Sequence, residues 1–80
     1  MAVRPLDAIH VNIGRPVKVF LPDGRVVSGI LNGYDIHMNL VIYDAVFAWP
    51  DGTEIYKPRG NVLIPGRTYT IIEFVEDDRR

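Results

Sequence analysis

Three polar side chains of complementary chemistry stand at alternate positions near the middle of the chain: Asp35, His37 and Asn39. In an extended backbone, alternate residues point to one face. The alternation therefore predicts that a carboxylate, an imidazole and an amide converge at a strand end, while Met38 and Leu40 point into the core. A carboxylate beside an imidazole can carry out acid–base catalysis. An imidazole beside an amide can instead recognise a flat, hydrogen-bonding ring.

The recognition chemistry fits a nucleobase. His37 offers a ring for stacking, and Asn39 offers an acceptor and a donor side by side, which match the N3–H and adjacent carbonyl of uracil but not the unprotonated N3 of cytosine. Asp35 can accept one amide proton of Asn39 and so fix the amide orientation. Splayed RNA bases are commonly stacked and read in this way. The alternative is an Asx turn beside a histidine exposed by chance, since short strings match by accident.

Catalysis lacks the other groups that it would need. The chain has no cysteine, and Ser28 is its single serine, so no nucleophile is predicted next to the Asp35–His37 pair. Two histidines, His10 and His37, cannot close a structural zinc site without several carboxylates. We therefore expect a binding protein that is not an enzyme and that uses no metal ion or other cofactor.

The composition is that of one small folded domain: 80 residues, 48% hydrophobic and 24% charged, with a net charge of −1. A chain this short buries only about 60% of its unfolded surface, so association is expected to add stability. No apolar run approaches the roughly 20 residues of a membrane helix, and the N-terminus lacks a signal-peptide core. We expect a cytoplasmic protein without a membrane partner. Because the net charge is close to zero, nucleic-acid binding would depend on local arrangement.

The pattern along the chain predicts a helix followed by strands. The single domain, residues 1–80, divides into a helix at about 5–13, a barrel at about 16–75 and a charged tail at 76–80. Pro5 suits a first helical turn, Leu6, Ile9 and Ile13 recur at helical spacing, and Gly14 ends the segment.

Five antiparallel strands are predicted: 17–21, 26–34, 38–47, 53–64 and 69–74. Gly29 and Gly33 indicate sharp bending of the second strand, Pro58 and Gly60 interrupt the fourth, and Pro65-Gly66 predicts a type II turn. The fold class is thus mainly β, a short N-terminal helix before a strongly bent five-stranded antiparallel sheet that forms a small open barrel. Free strand edges must be covered, and head-to-tail pairing of identical subunits would close a ring.

The chain resembles the Sm-like (Lsm) proteins, and most of all their short archaeal type. The likeness extends from the helix to about Phe74. It is carried by Pro5-Leu6-Asp7, Gly29-Ile30-Leu31, Asp35-Ile36-His37-Met38-Asn39-Leu40-Val41, Asp44-Ala45 and Gly60-Asn61-Val62-Leu63-Ile64-Pro65-Gly66. The resemblance implies a homo-oligomeric ring, a heptamer with a hexamer or octamer as alternatives. It also implies binding of uridine-rich single-stranded RNA at the inner rim, in RNA processing or turnover together with RNA-processing proteins.

The sequence departs from the family at one position of this site. The second motif usually ends in Ile-Arg-Gly and here reads Ile64-Pro65-Gly66, so a stacking guanidinium is replaced by an uncharged ring. Arg67 is a candidate substitute, and Arg4 beside the helix start is a candidate RNA contact; the alternative for each is an ordinary exposed arginine. The alternative function is a ring with a weakened RNA site that serves mainly as a protein-interaction platform.

Four aromatic residues outside this site have structural interpretations. Trp49 at a hairpin tip either packs across the strands against Ile55 or Tyr56 or remains exposed for stacking. Tyr43 and Tyr69 are predicted to be barrel-surface or interface aromatics, and Tyr34 to belong to the core.

Overall fold

The computed structural model describes residues 3–75 and contains one helix and six strands. Their bounds are α1 (Pro5–His10), β1 (Pro16–Phe20), β2 (Val26–Tyr34), β3 (Leu40–Ala48), β4 (Glu54–Tyr56), β5 (Asn61–Ile64) and β6 (Ile71–Phe74), with a 3-10 helix at Gly66–Thr68. The prediction of a mainly β fold with a short N-terminal helix is confirmed. The predicted charged tail, 76–80, lies outside the described residues.

All strands belong to one antiparallel sheet in the order β4-β3-β2-β1-β6, and β5 also pairs with β3. The predicted fourth strand is thus two strands, β4 and β5, which pair with opposite ends of β3. Pro58 and Gly60 lie in the break between them. Proline has no N–H for a ladder hydrogen bond, and Gly60 has a φ of 72°, a conformation that glycine adopts without steric cost.

The predicted bending of β2 is confirmed by two irregularities in its pairing with β3. The register shifts between Ser28 and Ile30 and again between Leu31 and Gly33, as β-bulges require. At the first shift, a Cβ added to Gly29 would lie 2.8 Å from the Tyr43 carbonyl oxygen. Glycine is therefore needed there because the two strands approach too closely for a side chain.

The core combines Ile9 of α1 with side chains from β1, β2, β3 and β5. Its buried members are Ile9, Val17, Val19, Val27, Leu31, Leu40, Ile42, Ala45 and Ile64. The helix ends at His10 rather than at 13 because the N–H groups of Asn12 and Ile13 bond the carbonyls of Ile9 and His10, three residues back. The sequence predicts that Ile13 and Ile9 both lie on the apolar face of the helix. Ile13 lies beyond the end of the helix and is exposed, whereas Ile9 is buried.

The sheet remains open between β5 and β6. In residues 3–75, β5 pairs only with β3 and β6 only with β1, so each strand has one unpaired edge. Both strands carry a large exposed apolar side chain, Leu63 at 62% and Ile71 at 59%. None of the helical segments within residues 3–75 could span a lipid bilayer.

Candidate nucleic-acid interface

Residues 35–39 form a compact turn between β2 and β3, which we call the 35–39 turn. Asp35 Oδ1 accepts the backbone N–H groups of His37, at 2.9 Å, and of Asn39, at 3.0 Å. The Met38 N–H donates to the Asp35 carbonyl oxygen at 3.0 Å, and Met38 has a left-handed φ of 66°. The third strand therefore begins at Leu40 and not at Met38. An Asx turn, rather than strand alternation, brings the three polar residues together.

The side-chain amide of Asn39 is fixed from two sides. Its Nδ2 donates to Asp35 Oδ2 at 2.9 Å, and its Oδ1 accepts the backbone N–H of Gly66 at 2.7 Å. These bonds determine which end of the amide is oxygen and which is nitrogen. An amide oxygen accepts two hydrogen bonds and an amide nitrogen donates two. Asn39 thus retains one acceptor and one donor, side by side, for a ligand.

The exposed imidazole of His37 completes a surface that can hold a planar ring. Its backbone is held by Asp35, so the ring emerges from an ordered turn and not from a loose loop. The hydrogen bond from the Asn39 amide, opposed by partial desolvation, keeps the pKa of Asp35 below its usual range. Asp35 is therefore a carboxylate at neutral pH and able to accept all three hydrogen bonds.

The segment 65–69 packs against this turn. Pro65, with a φ of −63°, precedes the 3-10 helix, and its carbonyl oxygen accepts the Thr68 hydroxyl at 2.7 Å and the Thr68 N–H at 3.0 Å. Gly66 does not have a positive φ, so the predicted type II turn is wrong. Glycine is required there for space: an added Cβ would overlap the His37 carbonyl oxygen and lie 3.0 Å from the Met38 carbonyl carbon.

The two candidate arginines remain at the periphery. Arg67 is exposed within the 3-10 helix, next to Gly66. Arg4 is exposed at the start of α1, and its Nε lies 3.0 Å from Asp7 Oδ2. The sequence predicts seven site residues. Within residues 3–75, hydrogen bonds and close contacts join four of them: Asp35, His37, Asn39 and Gly66. Pro65 and Arg67 flank Gly66, whereas these contacts do not bring Arg4 into the group.

Sequence reasoning missed the role of Tyr69. Tyr69 is half-buried against the core of the single chain, and its assignment as a barrel-surface or interface aromatic stays a prediction. Its hydroxyl donates to the Met38 carbonyl oxygen at 2.7 Å. Burial, and next the nearby Asp35 carboxylate, raise the pKa of Tyr69, so the hydroxyl keeps its proton at neutral pH. The partners are 31 positions apart, so no local sequence signal could reveal the contact.

Aromatic residues elsewhere in the described chain make contacts outside this site. Tyr34 is half-buried against the core as predicted, and its hydroxyl lies 2.9 Å from His10 Nδ1, which ties α1 to the end of β2. Phe47 and Tyr56 are in contact across β3 and β4, with ring centroids 5.9 Å apart. Trp49 is 44% exposed and faces Gly24 of the β1–β2 turn.

Among residues 3–75, no three histidine, cysteine or acidic side chains are grouped so that they could hold a metal ion.

The fold, a short helix before one strongly bent antiparallel sheet, is that of one class of proteins. An LSM domain model matches residues 7–74, and the chain belongs to the LSM family.

Relatives of known sequence or structure align with this chain over nearly its whole length. An snRNP Sm-like protein of Thermococcus kodakarensis is 42% identical over 76 residues, covering 95% of this chain and 97% of the relative. A Pyrococcus abyssi Sm protein solved in complex with a uridine heptamer is 37% identical with a TM-score of 0.80, over 91% of this chain and 100% of that one. A heptameric archaeal Sm protein is 35% identical with a TM-score of 0.74, over 86% and 97%.

Proposed function

We propose that this protein forms a homo-oligomeric ring, a heptamer, that binds single-stranded uridine-rich RNA at its inner rim. Each subunit contributes one 35–39 turn and takes one nucleotide. The ring acts as a scaffold or chaperone for RNA in processing or turnover, not as an enzyme.

The orientation of the Asn39 amide carries this proposal. With Nδ2 held by Asp35 and Oδ1 held by Gly66, the remaining lone pair accepts the uracil N3–H and the remaining amide proton is donated to the adjacent uracil carbonyl. Cytosine has no proton on N3, so it leaves the amide oxygen without a donor. His37 stacks on the base. The uridine heptamer bound to the P. abyssi protein supports the choice of uridine.

The unpaired edges of β5 and β6 support the ring. Backbone N–H and C=O groups on an exposed edge pair readily with a strand of another chain. Antiparallel pairing of β5 in one protomer with β6 in the next is heterologous, and it closes when the rotation between neighbours divides a full turn. It would also cover Leu63 and Ile71, which are exposed in the single chain. The heptameric archaeal relative supports seven subunits.

Two measurements test the proposal. Light scattering at low micromolar concentration should give the mass of seven chains, and a monodisperse monomer would contradict both the assembly and the rim site. Titration of fluorescent heptauridine, heptacytidine and heptaadenine at two salt concentrations should show a preference for uridine that persists at the higher salt, because base-edge contacts are less screened than phosphate contacts.

Pro65 favours a second function, a ring used mainly to bind other proteins. In place of a family arginine, Pro65 offers neither charge nor hydrogen-bond donor to an RNA base, and a ring of seven chains of net charge −1 carries −7. Both features weaken attraction for RNA. Equal and weak binding of all three oligonucleotides in the titration would favour this second function.

A further inference from the structure

The 35–39 turn contains one residue in an unfavourable backbone conformation. Met38 has a φ of 66°, in the left-handed region that non-glycine residues seldom adopt, and methionine has no short polar side chain to stabilise it there. Such a conformation persists only where the surrounding structure imposes it. Met38 directly separates His37 from Asn39, so its backbone angles determine how the stacking ring and the reading amide are placed relative to each other.

One side chain from a distant part of the sequence holds this residue. The Tyr69 hydroxyl donates to the Met38 carbonyl oxygen at 2.7 Å. The Tyr69 ring packs against the core, so buried side chains hold the donor in place. The Met38 carbonyl precedes Asn39, and its direction fixes the peptide plane from which Asn39 extends.

We propose that Tyr69 is a positioning residue of the uridine site, which orients His37 and Asn39 by holding the Met38 carbonyl oxygen. This inference rests on the proposed function. Tyr69 acts through the backbone and not by touching the base. It supplements the Gly66 N–H, which fixes the Asn39 side chain but not the backbone before it. The raised pKa of Tyr69 is consistent with this role, since the phenol remains a donor well above neutral pH.

The substitution Tyr69→Phe removes the hydroxyl and keeps the ring in the core. The matched control is Tyr56→Phe, because Tyr56 is 62% exposed on β4 and its hydroxyl has no hydrogen-bond partner within residues 3–75. Two properties are measured for wild type and both variants: hydrogen exchange of peptides spanning residues 34–40 in the RNA-free protein, and the affinities for heptauridine and heptacytidine.

We expect Tyr69→Phe to keep the ring mass, to exchange faster over residues 34–40 and to bind heptauridine at least about fivefold more weakly, as loss of one hydrogen bond predicts. The ratio of uridine to cytidine affinity should also fall, which a general loss of stability would not cause. Tyr56→Phe should match the wild type in both measurements.

Three results would overturn the inference. They also distinguish its failure from a failure of the proposed function. If Tyr69→Phe keeps the wild-type affinity and selectivity while His37→Ala loses binding, the uridine site stands and Tyr69 does not position it. If Tyr69→Phe no longer forms rings, the hydroxyl is needed for assembly and not for positioning. If wild type itself shows no preference for uridine, the proposed function fails, and the role of Tyr69 in uridine recognition fails with it.

Discussion

The amide oxygen of Asn39 and the backbone N–H of Gly66 are joined by a hydrogen bond of 2.7 Å between residues 27 positions apart. This bond connects the two sequence motifs of the candidate site. It settles the orientation of an amide whose two ends are otherwise interchangeable, and with Asp35 on the other end the amide cannot flip without breaking two hydrogen bonds. In the proposed uridine site, base selectivity therefore depends on a main-chain donor, the Gly66 N–H.

Substitution of His37 or Asn39 by alanine should weaken heptauridine binding without dissociating the ring, because neither residue belongs to the buried core. His37→Ala removes a stacking partner worth about 1–3 kcal/mol per base and should leave the preference for uridine over cytidine largely intact. Asn39→Ala should reduce that preference, because it removes the group that reads the base edge. Titration of both oligonucleotides distinguishes the two effects, and wild-type binding by both variants would place the RNA site elsewhere.

The substitution Pro65→Arg should tighten heptauridine binding by about 1 kcal/mol per engaged subunit, roughly fivefold, if a guanidinium can stack on the base opposite His37. Proline at a φ of −63° restricts the unfolded chain, so its replacement should lower the free energy of unfolding by about 0.4–1 kcal/mol. Fluorescence titration and thermal unfolding measure the two effects separately.

Arg67→Ala is the companion variant. If Arg67 already supplies the stacking guanidinium, its removal should weaken binding and Pro65→Arg should add little. Unchanged affinity in both variants, with His37→Ala still defective, would mean that the base is stacked on one side only.

A methyl group at Gly66 should disrupt the site more than the fold. Gly66→Ala places a Cβ against the carbonyl groups of His37 and Met38, and relief of such a contact costs about 1–3 kcal/mol and separates segment 65–69 from the turn. We expect loss of uridine selectivity together with a lower unfolding temperature. Gly33→Ala is the control, because its Cβ would meet Val41 at an ordinary 3.5 Å and should change stability by at most about 1 kcal/mol. Equal effects of the two substitutions would argue against close packing at Gly66 as the cause.

The carboxyl group of Asp35 should titrate below 3.8, its ordinary value, because the Asn39 amide and two backbone N–H groups favour the ionised form. A depressed folded pKa contributes stability that is fully present above the unfolded value and is lost as pH falls through the folded value. The 35–39 turn should thus loosen only below about pH 4. Carboxyl NMR titration measures the midpoint, and Asn39→Ala should raise it; an unchanged midpoint in that variant would exclude the amide as the main cause.

Local sequence signals predicted much of the fold, and they failed where distant residues decide. The bends at Gly29 and the break around Pro58 were predictable because glycine and proline change the backbone itself. The hydrogen bond between Asp35 and the Asn39 amide was also predictable, since the residues are four apart. The left-handed Met38 was not, because methionine carries no such preference and the conformation is imposed by the turn around it.

The roles of Gly66 and Tyr69 show a second limit. From the sequence, Gly66 indicates a positive φ, and that interpretation is wrong because Gly66 packs against a turn 27 positions earlier. The hydrogen bond from the Tyr69 hydroxyl to the same turn, 31 positions earlier, had no local sequence signal. A glycine selected for space and a glycine selected for its φ look the same in a single sequence.

The order in which the sheet is completed has a consequence for newly made chains. β1 pairs with β6, with Val17 opposite Phe74, and contacts between such distant segments form late in folding. Gly66 and Tyr69, whose N–H and hydroxyl groups hold the 35–39 turn, are also synthesised well after that turn. A growing chain that already displays Asp35, His37 and Asn39 therefore has the Asp35 bond to the Asn39 amide but lacks the Gly66 bond to the amide oxygen and the Tyr69 bond to Met38. The proposed selection of uridine therefore requires that segment 65–69 has left the ribosome.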